Sequence, residues 1–170
     1  KYPVSEGFRK EFTEKILKAF TWEALVEKGY NPETGEGPTH HKLLDALKVV
    51  AEMKAKNPVD KLYVGMARFL VNHTGKKLRA RFIVKPLDMK QHTTAGFFDP
   101  MRNTMTVHYS PIIHDNPNLP VTQAEVFMHE AFHAAFHASI PSAMADQKIN
   151  LRGEAYFKKL RELADQLKES

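Results

Sequence analysis

One stretch of this chain leaves little choice about where it can go. Between Thr122 and Ser139, the residues Val126, Phe127, Ala131, Phe132, Ala134, Ala135 and Phe136 put apolar surface nearly all round a helix. A helix of that kind has to be buried. Its limits are marked: Thr122 with Glu125 three positions on is a capping box, and Ile140 precedes Pro141, so the helix is predicted to end near Ser139. Yet the same stretch carries His129, Glu130 and His133. Polar groups left unpartnered in an apolar interior cost several kcal/mol, so these three need partners, and a metal ion is one.

The order His129-Glu130-Ala131-Phe132-His133 is H-E-x-x-H. Residues i and i+4 lie one turn apart on the same helix face, so both imidazoles can reach one ion. Glu130 sits about 100° round from His129, beside the ion rather than facing it. From there it can hold a water in the open coordination position and take its proton. Zinc brings the pKa of such a water to ~7. The chain has no cysteine, which excludes a disulfide scaffold, a thiolate zinc site and a cysteine nucleophile. His, Asp and Glu must then hold any metal.

The rest of the chain reads as α+β. Phe8, Phe12, Ile16, Leu17, Phe20 and Leu25 recur at helical spacing, with Ser5 as N-cap. Residues 31–40 hold Pro32, Gly35, Gly37 and Pro38 and form a loop. A second helix is predicted from His41 to about Lys56, and a third from Pro58, carrying Leu62, Met66, Phe69 and Leu70 and ending at Gly75. At residue 78 the period drops to two: Leu78, Ala80, Phe82 and Val84 alternate with Arg79, Arg81, Ile83 and Lys85, which is a strand. Thr94–Phe98 and Thr104–Tyr109 form a hairpin about Asp99–Asn103. Residues 110–120 are loop, and Asn150 caps a last helix that reaches Lys168.

The expected architecture is therefore N-terminal helices, a small antiparallel or mixed sheet, the H-E-x-x-H helix and a C-terminal helix. Residues 1–77 are the helical part and 78–170 the core, packed as one domain. The 170 residues suffice for a core, and 42% hydrophobic with 26% charged residues exclude disorder. No apolar run approaches the ~20 residues of a membrane span, and no signal peptide is visible. The chain begins at Lys1 rather than Met and is read as a piece of a larger protein. Its net charge of +5 suits an acidic partner or nucleic acid, without a dense Lys/Arg block.

At the level of motifs the chain resembles the zincin-like metallopeptidases. It looks most like the zincin-like domains of large polyvalent proteins of phages and other mobile elements. Ala95-Gly96-Phe97-Phe98-Asp99-Pro100-Met101-Arg102-Asn103-Thr104-Met105 is similar to their hairpin, His129–Ala134 to their motif helix, and Glu154-Ala155 to a motif of their following helix. The resemblance covers about residues 78–165; residues 1–77 match no pattern. It implies a zinc endopeptidase with Glu130 as general base and an extended polypeptide substrate laid along the strand that contains Gly96, Phe97 and Phe98. It also implies a virion-associated or host-cytoplasmic setting.

The resemblance to thermolysin-like enzymes implies Glu154, on the next helix, as third zinc ligand beside His129 and His133. Asp146 is the rival. Lys158 stands where that family has a supporting Asp, which leaves Glu154 equally readable as half of an exposed i,i+4 ion pair. His137 extends the histidine row but lies about 12 Å along the axis from His129, too far to share one ion, so it is a cleft or interface residue. Tyr109, Tyr156 and His108 are candidates to steady the oxyanion of a tetrahedral intermediate, or plain core residues. His40 and His41 mark a loop-to-helix junction, with adventitious metal binding as the other reading. The competing function is a non-catalytic basic binding module of a virion or injected protein with a structural zinc site. A secreted effector protease would share the peptidase chemistry.

Overall fold

The computed structural model describes residues 4–87, 95–111 and 123–139, apart from the side chains of 76 and 136–139. Within them the chain is α+β, with five α-helices and a four-stranded mixed sheet. The N-terminus begins as its sequence suggests. Ser5 caps α1 (Glu6–Phe12) by accepting from Phe8 N–H, and Phe8 and Phe12 turn inward. The helix then widens into one π-turn, Thr13–Leu17, where Thr13 Oγ1 donates back to the Arg9 carbonyl at 2.9 Å. The extra residue in the turn lets both Ile16 and Leu17 reach the core, at 0% and 2% exposure. Thr21 caps the short α2 (Trp22–Glu27).

The second predicted helix starts late. His41–Lys42 is instead a two-residue strand, β1, and α3 runs Leu43–Ala51. The reason is tertiary: His41 pairs with Phe82 and Lys42 with Arg81, so this short piece is claimed by the sheet. α4 (Pro58–Thr74) has both expected punctuation marks, Pro58 in its first turn and Gly75 after its end with φ +50°. Asn57 and Asp60 form a capping box there. Asp60 does more, accepting from the backbone N–H of Ser5 and Lys56, each at 2.9 Å, and from the Ser5 hydroxyl. One buried carboxylate thus ties the start of α1 to the start of α4.

The sheet order is β1-β2-β4-β3, with β2 (Arg81–Pro86), β3 (Gly96–Asp99) and β4 (Thr104–Tyr109). β2 and β4 run parallel, whereas β3 pairs antiparallel with β4 as the expected hairpin. Asp99 Oδ1 accepts from Met101 N–H at 3.0 Å, and Asn103 takes the positive φ of +50° that the turn needs. β3 is a terminal strand and pairs with β4 alone among the described residues.

The long helix α5 (Gln123–Ser139) packs on β3, β4 and α4. Phe127 is fully buried, with its ring 5.6 Å from that of Phe12 and 5.2 Å from that of Phe82, both edge-on. One apolar cluster runs from Val4 to Ala135 and includes both the N-terminal helices and the sheet. No helix of the described residues is long and apolar enough to cross a membrane.

His41 is 3% exposed, inside this packing. Its Nε2–H donates to the Thr21 carbonyl at 2.8 Å, and its Nδ1 accepts from the Lys28 ammonium at 2.9 Å. Burial, aided by the Lys28 charge and opposed by the Thr21 bond, lowers its pKa below the ordinary 6.5. The folded state therefore favours neutral His41. Its contribution to stability is complete above about pH 6.5 and is lost as the pH falls through the lowered folded value. Denaturation midpoints between pH 7.5 and about 5 should fall on acidification, and His41→Gln should flatten that fall. An unchanged slope in the variant would show that His41 does not sense the pH.

Candidate metal centre

α5 starts beside the hairpin and carries its polar residues about two to three turns further on. Two contacts set how close it lies to β3. Gly96 of β3 faces Val126 of α5 so closely that a Cβ on Gly96 would stand 2.7 Å from Val126 Cγ1. Gln123, the first residue of α5, is 4% exposed. Its Nε2 donates to the carbonyls of Ala95, at 3.3 Å, and His108, which join the same end of the hairpin through the 2.9 Å bond from His108 N–H to Ala95 O. The close backbone approach expected at Gly96 is thus an approach to the motif helix.

His129, Glu130 and His133 come together on one side of α5, with ligand atoms within 4.8 Å of one another. The imidazole centroids of His129 and His133 are 4.6 Å apart. Glu130 lies between them: Oε2 is 3.0 Å from His129 Nδ1, and Oε1 is 3.4 Å from His133 Nδ1. Side-chain exposure is 38% for His129, 14% for Glu130 and 23% for His133, so the cluster sits at the edge of the core with a path to solvent. Burial pushes the Glu130 carboxyl up, but the hydrogen bonds from both histidines, together with their charge, outweigh it and hold it at about 2. Glu130 is an anion throughout the neutral range.

The donor set suits a divalent cation. Each imidazole turns Nδ1 to Glu130, which leaves Nε2 as the nitrogen available for a metal. His133 Nε2 is buried and has no hydrogen-bond partner among the described residues. An orphaned buried nitrogen of this kind is the unmet need that a metal ion fills. Two imidazoles and a nearby carboxylate with no thiolate are a donor set that zinc accepts, as do iron, copper and nickel.

The other expected site residues divide by face. Gly96 and Phe98 lie on the α5 side of the sheet with Val107, and Phe98 packs against the core. Phe97 is 44% exposed on the opposite side, its ring 6.0 Å from that of His108. By strand alternation His108 faces away from α5, whereas Tyr109 shares the α5 side and packs against the core. Glu154, Asp146, Lys158 and Tyr156 lie outside the described residues, as do Thr94, Thr122 and the His137 side chain. Gln123 and Val126 are site-building residues that no sequence motif marks. Comparisons of this chain with protein families, curated proteins and solved structures found no match.

The Gly96–Val126 contact makes a direct forecast. Gly96→Ala forces a methyl against Val126 and, at 3.1 Å, against the Thr106 carbonyl, which should destabilise the fold by about 1–3 kcal/mol. Val126→Ala removes the closer obstacle and should recover much of the loss in the double variant. Chemical denaturation of the two single variants and the pair checks this: strictly additive losses would mean that the two residues do not touch.

Proposed function

We propose that this chain is a zinc endopeptidase domain of the zincin-like type, with His129 and His133 as ligands, Glu154 as the third and Glu130 as general base. The observation that carries the reading is the buried, unpartnered Nε2 of His133 beside a second imidazole, with an anionic carboxylate set between the two rings. The antiparallel terminal strand β3 packed on the motif helix supports it further.

A bound zinc ion supplies a Lewis acid and makes its water acidic, with a pKa of ~7. The chain's own groups do the rest. Glu130 is ionised and so can accept a proton from the attacking water, then deliver it to the leaving amine nitrogen. The backbone of β3 offers N–H and C=O groups to an extended polypeptide, which binds by adding a strand, and Phe97 presents an exposed apolar side chain on one face of that strand. Tyr109 is the described oxyanion candidate on the α5 side of the sheet; Tyr156 and His137 complete the set to be tested. A mobile-element or virion protein is the parent that the motifs favour. The rival, a binding module with a structural zinc, would use Glu130 only to orient the histidines and not as a base.

Metal content and hydrolysis separate the readings. The purified chain should hold one equivalent of zinc and cleave casein or itself, and a chelator should stop cleavage. Glu130→Gln should keep the zinc and lose on the order of 10²–10⁴ in rate. His133→Ala and Glu154→Ala should each weaken zinc binding by orders of magnitude. Zinc without hydrolysis would favour the binding module. A chain that takes up no zinc would end the metallopeptidase reading, and a Glu130→Gln variant that loses zinc as His133→Ala does would make Glu130 a ligand.

A further inference from the structure

The far edge of the sheet carries an arrangement that the metal centre does not use. Along β2 and the residues before it, Leu78, Ala80, Phe82 and Val84 are buried in the core, and of the alternate residues Arg79, Arg81 and Lys85 are exposed while Ile83 between the last two is buried. Alternate residues of a strand stand about 7 Å apart on one face. Lys42 of β1 is exposed and directly opposite Arg81 in register. Like charges placed opposite each other on neighbouring strands repel. None of these four cations has an ion pair or a side-chain hydrogen bond among the described residues, although other lysines and arginines, such as Arg9, Lys15 and Lys18, do.

His40 directly precedes β1, and its pKa is lowered by burial first and then by the cationic Arg81 and Lys85 and by His41. No carboxylate figures among the groups acting on it. At the same edge stands an aromatic pair of which Trp22 is exposed and Tyr30 half-buried. Thr21 forms a parallel bridge with Val84, which brings the following residue, Trp22, to the Lys85 end of β2. Trp22 is 44% exposed and meets the Tyr30 ring edge-on at 5.3 Å.

We propose that this edge of the sheet binds single-stranded nucleic acid: Lys42, Arg79, Arg81 and Lys85 take the phosphates of an extended strand, and Trp22 with Tyr30 offers a stacking surface for a base. Cations set along one strand edge suit a phosphate backbone, and an aromatic face beside them suits a base of any sequence. An acidic peptide would satisfy the cations but covers Trp22 only where an aromatic side chain falls in register, whereas every nucleotide carries a flat base, and this favours the nucleic acid. The surface is independent of the metal centre and stands whether or not the chain is a peptidase.

Trp22 is the chain's single tryptophan, so its fluorescence reports on this surface alone. The full chain is titrated with a short oligothymidylate. Saturable quenching is expected, and the affinity should fall with salt. With four phosphates neutralised, raising monovalent salt from about 50 to about 200 mM should weaken binding about fiftyfold, because each phosphate contributes roughly 0.7 to the log–log slope. The Arg81→Gln/Lys85→Gln double variant should bind more weakly and lose only about sevenfold over the same salt range. Both residues are exposed, and circular dichroism should show the variant folded; should it not, Lys42→Gln/Arg79→Gln carries the same expectation. Absence of quenching at low salt overturns the proposal, as does a salt slope unchanged in a folded double variant. Polyglutamate or phosphatidylserine vesicles that bind as tightly, with the same loss in the variant, also overturn it.

Discussion

The structure turns on the burial of Phe127. Its ring is wedged between Phe12 from the N-terminal helices and Phe82 from the sheet, and it is wholly removed from water. Ala131, Phe132, Ala134 and Ala135 are buried along the same helix at 0–1% exposure. A helix held on several sides in a close-packed interior cannot roll or slide without opening cavities. That rigidity is what α5 lends to its polar residues. His129, Glu130 and His133 emerge at the margin of the packing, from a backbone that the core has already placed.

The hairpin is placed by the same helix, through means that are not apolar. At one end of β3 the side-chain amide of Gln123 gathers two strand carbonyls; next to it Gly96 offers no side chain, and Val126 fills the space. Each such hydrogen bond is worth about 1 kcal/mol net, but leaving those buried carbonyls unpaired would cost more. The terminal strand is therefore pinned to the motif helix at the helix start, and its outer backbone stays clear of that attachment. At the other end of the molecule Asp60 does comparable work, holding Ser5 and Lys56 by their backbone N–H groups so that α1 and α4 begin at one point. Polar groups fix where the elements begin, and apolar surface presses their bodies together.

What the sequence made legible follows from which forces are local. α4 declares itself through Pro58 and Gly75, because caps and φ preferences act within a few residues. The 99–103 turn declares itself in the same way, through Asp99 and Asn103. The buried character of α5 is readable because composition alone leaves it no polar face. His41–Lys42 was not readable as a strand: Leu43, Leu44 and Leu47 extend a helical period, and only the distant partners Phe82 and Arg81 claim the two residues for the sheet. The π-turn at Thr13–Leu17 keeps nearly the same spacing of apolar residues as an α-helix, so periodicity does not mark it. The parallel pairing of β2 with β4 is likewise a choice of topology that strand patterns leave open. In the site, the spacing of His129 and His133 carried the metal reading, whereas Gln123 acts on residues 15 and 28 positions away and leaves no local trace.

In the proposed reaction Glu130 would face two demands that look opposed. A carboxylate that accepts Nδ1–H from an imidazole fixes the neutral tautomer with a lone pair on Nε2, which is the form that binds a metal. A general base, however, must keep an acceptor site for water. Glu130 shares the first task between its two oxygens, Oε2 toward His129 and Oε1 toward His133. A carboxylate has about four lone-pair sites, so each oxygen retains one after serving its histidine. Where it stands it orients both imidazoles, and to receive a proton from a water held at Nε2 it must swing from the Nδ1 edge of a ring. Neighbours that hold it at about 2 make it a weak base while both Nδ1–H groups face it, and any shift of a ring away from Glu130 raises its affinity for a proton. The basicity of Glu130 is thus set by the same two contacts that aim the histidines.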